Sequence, residues 1–358
     1  MTLLTLTPLV AAGLAFLLAL TLTPLVVRIA RRAGAVDPLH PDKIHAREVP
    51  RLGGLAIAAG FYVPVLGIAL RTNLFSAEIY AEPRRAISLL VGGLGIVLLG
   101  LYDDLKGASA WQKLAIQIPL AGLAWWAGIR IGSSASPIGG VITFSDVVSL
   151  VVTIGWVVVV VNAINLIDGL DGLASGLALQ ALAVVALSAY LRGNALLFLF
   201  GVTLAASVAG FLVHNFHPAS IFMGDTGSMF LGWVLALGTV WASQKAATLV
   251  GVVLPALALG LPLLDTTLAI ARRLRTGTPV LRGDLNHIHH RLLGQGWSQR
   301  RVVLTLYGIS LPFSLGSACL VYLGDSAFHW PAVAIAILAA TALAVWFSRL
   351  TVGKSPSS

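Results

Sequence analysis

The chain has 358 residues, 58% of them hydrophobic and only 10% charged, with a mean hydropathy of +0.92 and a formal charge of +9. Soluble domains carry about 25% charged residues, so charge this sparse excludes an ordinary soluble domain and indicates a polytopic membrane protein. The single cysteine, Cys319, lies in an apolar run and excludes disulfides and thiolate zinc sites, while the basic excess falls in short loops between apolar runs, the pattern of a membrane protein and not of a nucleic-acid binder.

A membrane span needs about 20 apolar residues. About eleven are expected, at 3–27, 52–70, 86–101, 114–131, 147–161, 173–191, 195–213, 229–243, 247–271, 302–323 and 330–347. No Lys or Arg precedes Arg28, so the first run is expected to remain as a span and not to act as a cleaved signal. The expected fold is all-α, a polytopic membrane helical bundle forming a single integral membrane domain over 1–358.

Alternate loops divide the charge unequally. One set, which begins with Arg28, Arg31 and Arg32 and ends with Arg349 and Lys354, holds 17 of the 23 Lys and Arg. The other set holds only Arg71, Arg84, Arg85, Arg130, Arg192 and Lys245. The basic set is expected to be cytoplasmic, with the N-terminus outside and the C-terminus inside.

The unusual polar clusters share the basic side, near 28–51, 102–113, 162–172, 214–228 and 272–301. The first contains His45, Arg47 and Arg51, followed by Gly53 and Gly54. The second begins with Asp103 and Asp104 and closes at Lys113. The third holds Asn162, Asn165, Asp168 and Asp171, with Gly169 and Gly172 beside the acids. Asp168 and Asp171 are three apart, so a helical turn through them places both carboxylates on one face. The fourth runs from His214, Asn215 and His217 to Phe222, Gly224 and Asp225, and the fifth carries Asp284, Asn286, His287, His289, His290 and Arg291.

Carboxylates near bilayer depth are costly and usually line a polar cavity or pair with a partner. One such acid is easily a helix cap or a neutraliser of a loop Arg; five on one face are not. Hard oxygen donors without thiolates favour Mg²⁺, with Mn²⁺ as the alternative, over zinc. The histidine cluster in a basic loop suits polyphosphate, whereas Arg272, Arg273 and Arg275 read as a solvated basic loop. Lys113 reads as a snorkelling side chain, as the neutraliser of Asp103 or Asp104, or as a contact to phosphate. Phe222 reads as a ring that stacks on a base or as plain packing. Asp265, late in the ninth run near Arg272, reads as a helix-end ion pair. Metal-binding acids, phosphate-binding cations and one shared face together indicate phosphoryl transfer between a nucleotide and a lipid. A transporter for an anionic solute is the main non-enzyme reading, but it predicts polar groups at mid-span and on both faces.

These ordered motifs, Asp103-Asp104 with Lys113, the 162–174 stretch, 222–228 and 287–291, together with the glycine-ended first loop, resemble the polyprenyl-phosphate N-acetylhexosamine-1-phosphate transferases. The first loop and the His-Ile-His-His-Arg-Leu form resemble the WecA/TagO-like branch; the related MraY enzymes, which use UDP-MurNAc-pentapeptide, differ in both places. The resemblance implies transfer of N-acetylhexosamine-1-phosphate from a UDP-sugar, with UDP-GlcNAc the leading candidate, to undecaprenyl phosphate. The products are UMP and an undecaprenyl-diphospho-sugar, the first membrane step of a cell-envelope glycan such as lipopolysaccharide or teichoic acid. It further implies Asp225 as the Mg²⁺ ligand with Asn165 in or near the metal shell, and Asp103 as base for the lipid phosphate in a corner ordered by Asp104 and Lys113. Asp168 and Asp171 stand at the nucleotide or metal surroundings, Phe222 at the uracil, and His287, His289, His290 and Arg291 at the diphosphate or sugar. Asn215 matches a polar position of the pattern. Because a phosphate monoester is largely dianionic at neutral pH, Asp103 is needed more to orient than to deprotonate. The resemblance is compatible with a homodimer.

Overall fold

The structure is a computed structural model that describes residues 6–37, 48–71, 74–135, 141–244, 257–277, 287–323 and 329–349. The expected positions His45, Arg47, Asp284 and Asn286 lie outside the described residues. Thirteen helices are described: α1 Leu6–Arg32, α2 Gly54–Ala69, α3 Leu74–Ala81, α4 Pro83–Lys106, α5 Ala110–Trp126, α6 Asp146–Ile167, α7 Leu173–Leu191, α8 Ala195–Asn215, α9 Gly224–Ser243, α10 Gly260–Thr276, α11 Ile288–Gly294, α12 Gln299–Leu323 and α13 His329–Arg349. Two short antiparallel ribbons join them, β1 Val36–Asp37 with β2 Val49–Pro50, and β3 Ser133–Ala135 with β4 Val141–Thr143.

Each of the eleven apolar runs overlaps a helix. Among the described residues, seven helices are long and apolar enough by themselves to cross a membrane: α1, α4, α6, α7, α8, α9 and α12; α2 is apolar but shorter. The short α3 and the ribbons escape a hydropathy reading, since none is long enough to produce a periodic signal.

The bundle is built around α9, whose residues from Thr226 to Ser243 are all buried. It packs against α2, α4, α6 and α7. Small residues allow the close crossings on which membrane helices depend, where van der Waals contact takes over from the hydrophobic effect. A Cβ on Gly100 of α4 would strike the backbone at Asp225 and Thr226, and one on Gly54 of α2 would strike Gly227. The outward faces of α1 and α4 carry exposed Leu, Ile and Val, as a lipid-facing surface requires.

Candidate active site

The crossing at Gly100 sets the first part of the site. Asp104 stands one helical turn further along α4, on the same face, and so reaches the start of α9. Its carboxylate accepts the backbone N–H groups of Asp225 and Thr226, each at 3.0 Å, and the Thr226 hydroxyl at 2.6 Å. A helix start leaves its first N–H groups without intrahelical partners, and here a neighbouring helix supplies the cap. Gly224 makes this possible: its φ of +71° is open to glycine, and a Cβ would enter the space of the Asp104 carboxylate. Arg51 closes the arrangement by donating Nη2 to the Asp104 carbonyl at 2.9 Å. Asp104 is only 4% exposed, so its reach is spent on holding two helices in register.

Asp103 lies on a different face of α4 and turns toward α5. Gly107, at φ +77°, ends α4, and a Ser109–Gln112 capping box starts α5. That tight connection brings Lys113 back over Asp103. Lys113 Nζ lies 2.5 Å from Oδ2 of Asp103 and 2.5 Å from Oδ2 of Asp225, while the other Asp103 oxygen accepts the Ala108 N–H. One ammonium thus bridges Asp103 of α4 and the acid of α9. All three side chains keep some exposure, at 13% for Asp103, 18% for Lys113 and 27% for Asp225, so this corner is open to a ligand where the Asp104 corner is not.

The end of α6 forms the opposite wall. Asn165 lies beside the Asp225 carboxylate and donates to Ser228 Oγ at 2.9 Å, and Asn162 donates to Gln117 Oε1 at 2.8 Å. Asp168 follows as the C-cap of α6. It retains partial exposure, yet its carboxyl is held well above the usual carboxylate range, first by desolvation and then by the charges of Asp225, Asp104 and Asp171.

This concentration of negative charge bears on metal binding. Among the described residues, no group of three His, Cys, Asp or Glu side chains forms a ready-made metal cage. Mg²⁺ seldom uses one: it binds through one or two carboxylates, keeps water and shares substrate phosphates. The oxygen donors of Asp225, Asp103, Asp168 and Asn165 therefore fit that ion, and a phosphate-bearing substrate would complete the set.

The histidines form a second group that abuts the first at Gly169. His289 presses against this glycine, where a Cβ would strike its Nε2. Among the described residues, neither ring nitrogen of His289 has a hydrogen-bond partner, and burial, reinforced by the neighbouring His290, lowers its pKa to about 3. His289 is therefore neutral at physiological pH. Its ring lies parallel to His287 at 5.9 Å and tilted against His290 at 4.3 Å. His287 is fixed in turn by Asp265 on α10, which accepts from His287 Nδ1 at 2.7 Å and from the Ile288 N–H at 3.0 Å. Asp265 is thus the cap of α11 and the orienter of the histidine motif. Both of its carboxylate oxygens serve these bonds, in place of the helix-end ion pair expected of it. Arg272, Arg273 and Arg275 stand in the last turns of α10, where cations suit a helix C-terminus; Arg275 is exposed as expected, whereas Arg273 is buried instead of solvated.

The remaining expected residues hold the loop between α8 and α9. Asp171 Oδ2 accepts from His217 Nδ1 at 2.8 Å and from the Ala219 N–H at 3.0 Å. Asn215 is buried, accepting from Ser175 Oγ at 2.8 Å and donating to the Ile221 carbonyl at 3.0 Å. Phe222 is half-buried, and its backbone pairs with Pro50 and Gly53. Arg291 gives Nη1 to the Phe347 carbonyl at 2.9 Å, which ties α11 to the end of α13. Thr226, Ser228, Arg51 and Asp265 complete the framework. Thr226 and Ser228 could be suspected from their place beside Asp225, but no spacing in the sequence pairs Asp265 with His287.

Residues 86–243, which contain most of this acidic framework, match the family described as Glycosyl transferase family 4. Similarity to individual proteins extends further. A Bacillus subtilis (strain 168) protein named "Probable undecaprenyl-phosphate N-acetylglucosaminyl 1-phosphate transferase" is 39% identical over 311 residues, covering 87% of this chain and 84% of the relative. The decaprenyl-phosphate N-acetylglucosaminephosphotransferase of Mycolicibacterium smegmatis is 40% identical over 300 residues, 78% of this chain and 73% of the relative. A phospho-N-acetylmuramoyl-pentapeptide-transferase of Anoxybacillus flavithermus is 31% identical over 326 residues, 85% of this chain and 94% of the relative. With its acids, lysine and histidines gathered at one end of a helical bundle, and with similarity running through most of its length, this chain belongs to the polyprenyl-phosphate N-acetylhexosamine-1-phosphate transferases.

Proposed function

We propose that this protein transfers N-acetylglucosamine-1-phosphate from UDP-GlcNAc to undecaprenyl phosphate, releasing UMP. The observation that carries the reading is the meeting of Asp103, Lys113, Asn165, Asp168 and Asp225 from four helices at one end of the bundle. The higher identity to the N-acetylglucosamine-phosphate transferases than to the pentapeptide transferases favours the smaller sugar. The site faces the cytoplasm in this proposal, because the loops around it hold 17 of the 23 Lys and Arg.

In the proposed reaction an oxygen of the lipid phosphate attacks the β-phosphorus of the UDP-sugar. The bond from that phosphorus to the bridging oxygen breaks, and its electron pair leaves with UMP. No enzyme-bound phosphoryl group forms. The acceptor phosphate arrives largely dianionic, so Asp103 orients it and keeps Lys113 in place. Lys113 offsets charge between acceptor and donor. Asp225 and Asn165 would hold Mg²⁺, with Mn²⁺ as a substitute; bound there, it would neutralise phosphate charge as it develops. Asp168 and Asp171 stand on the nucleotide side, and Phe222 offers a ring face to the base. His289, uncharged and with ring nitrogens that have no partner among the described residues, serves as a hydrogen-bonding partner for the diphosphate or the sugar. Catalysis then consists of positioning and charge neutralisation, as phosphoryl transfer generally requires.

The test is UMP release by purified protein from UDP-GlcNAc, UDP-GalNAc and UDP-MurNAc-pentapeptide, with and without undecaprenyl phosphate and Mg²⁺. Release should require lipid and metal and favour UDP-GlcNAc. No release with any donor, or equal release from an Asp225→Ala protein, contradicts the reading. A chiral β-phosphorus should emerge inverted; retention would establish a covalent intermediate.

A further inference from the structure

The other end of α4 carries a feature the transfer reaction does not use. A shallow cavity of about 370 Å³, open to the surroundings, is lined by Ala81, Glu82, Pro83, Arg84, Arg85 and Ala127. The helix of 24 residues separates it from Lys106 by about 36 Å at 1.5 Å per residue, so it lies at the opposite membrane surface from the acids. Arg84 lies over the Trp126 ring at 5.4 Å and Arg85 over Trp241 at 5.9 Å. Trp126 is exposed at the end of α5, where indole rings mark the level of lipid headgroups. Arg130, over Trp125 at 5.7 Å, extends this basic and aromatic corner. Three of the six cations on the sparsely charged face are therefore gathered here.

We infer that this cavity binds the phosphate of an anionic phospholipid from the surrounding bilayer. Glu82 accepts one hydrogen bond from Arg85 Nη1 at 2.8 Å, which orients that guanidinium and leaves the lining with a net positive charge. Arg84 is exposed, and among the described residues its contact is with the ring of Trp126, not with a carboxylate. Arginine beside an aromatic ring retains its planar donors for phosphate oxygens. The occupant is a lipid and not a free phosphate because an apolar track begins directly below. Ile87, Val91, Leu94 and Leu98 are all exposed, and their spacing puts them on one stripe of α4. A headgroup held at Arg84 and Arg85 would lay its acyl chains along that stripe. The inference needs only a membrane location and stands independently of the transfer reaction.

Native mass spectrometry of the full chain, released from micelles containing phosphatidylglycerol or phosphatidylcholine, tests it. The wild type should retain phosphatidylglycerol in preference to phosphatidylcholine. Arg84→Gln, which leaves the Glu82–Arg85 pair intact, should weaken retention about fivefold, the effect of one basic residue at an anionic surface. Arg84→Lys should restore part of it, returning the charge without the planar donors, and UMP release by Arg84→Gln should stay at the wild-type level. The Arg84→Gln/Arg85→Gln protein should lose retention further. Equal retention of both lipids by the wild type, or equal phosphatidylglycerol retention by wild type and the double variant, overturns the inference. Displacement of the lipid by inorganic phosphate also overturns it, by identifying a free-phosphate site.

Discussion

Lys113 and Asp225 are 112 residues apart in sequence, yet Nζ and Oδ2 meet at 2.5 Å, and the same nitrogen reaches Asp103. Removing the ammonium leaves two partly buried carboxylates facing each other. Lys113→Met should lower kcat by about 10²–10³-fold, the range found when one charge-stabilising group is removed from a catalytic site. Lys113→Arg should recover little, because a planar fork does not replace a compact point charge between two acids. Steady-state kinetics with saturating donor checks this, with thermal unfolding as the control for folding.

Asp265 bonds both His287 and the first N–H of α11 from a buried position. Asp265→Ala should cost about 1–3 kcal/mol for each buried donor left unsatisfied. It should also raise KM for the UDP-sugar, because the histidines lose their common anchor. Thermal unfolding and donor titration measure the two effects separately. An Asp265→Ala protein with wild-type stability and KM would show that the motif is held by other contacts.

Gly169 and His289 cannot both keep their positions if a methyl group is added between them. Gly169→Ala should reduce kcat/KM through displacement of the ring. In the Gly169→Ala/His289→Ala double variant the loss should be no larger than in His289→Ala alone, since residues in contact are non-additive. Additive losses would indicate that Gly169 acts through a different neighbour.

Asp168 supplies the pH dependence. Its raised pKa means that the folded protein keeps a proton at pH values where a solvated carboxyl has lost it. Without metal, its contribution should make stability fall as pH rises through that window, because the folded state binds more protons than the unfolded one. A divalent cation among the acids would lower the pKa again, so Mg²⁺ binding should release protons and strengthen with rising pH until Asp168 is ionised. Thermal unfolding across pH, with and without Mg²⁺, reads both trends. Asp168→Asn should flatten them.

The run lengths and the placement of polar residues at their ends reveal a helical bundle and most of its acidic framework. Asp103, Asp168 and Asp225 are conspicuous because each follows or precedes an apolar run too long to tolerate a chance carboxylate. Their partners are less visible. Asp104 looks like a twin of Asp103, but helix geometry turns it to the Gly100 face, where it caps α9. Asp265 carries the same local signal as an ordinary helix-end acid; its pairing with His287 spans 22 residues and depends on how α10 and α11 meet. Asn215 and Asp171 resemble ligand-binding residues in the sequence, and nothing in their spacing shows the hydrogen bonds by which they also brace the loop that precedes α9.

The burial of α9 has a further consequence. The acid that opens this helix is carried on a shaft shielded from lipid along its whole length. Changes in bilayer thickness or acyl composition press first on the outward faces of α1 and α4, not on the support of Asp225. Such changes should therefore alter how readily a long-chain acceptor enters from the membrane, while the spacing of the reacting groups stays insulated from the solvent in which the enzyme is dissolved.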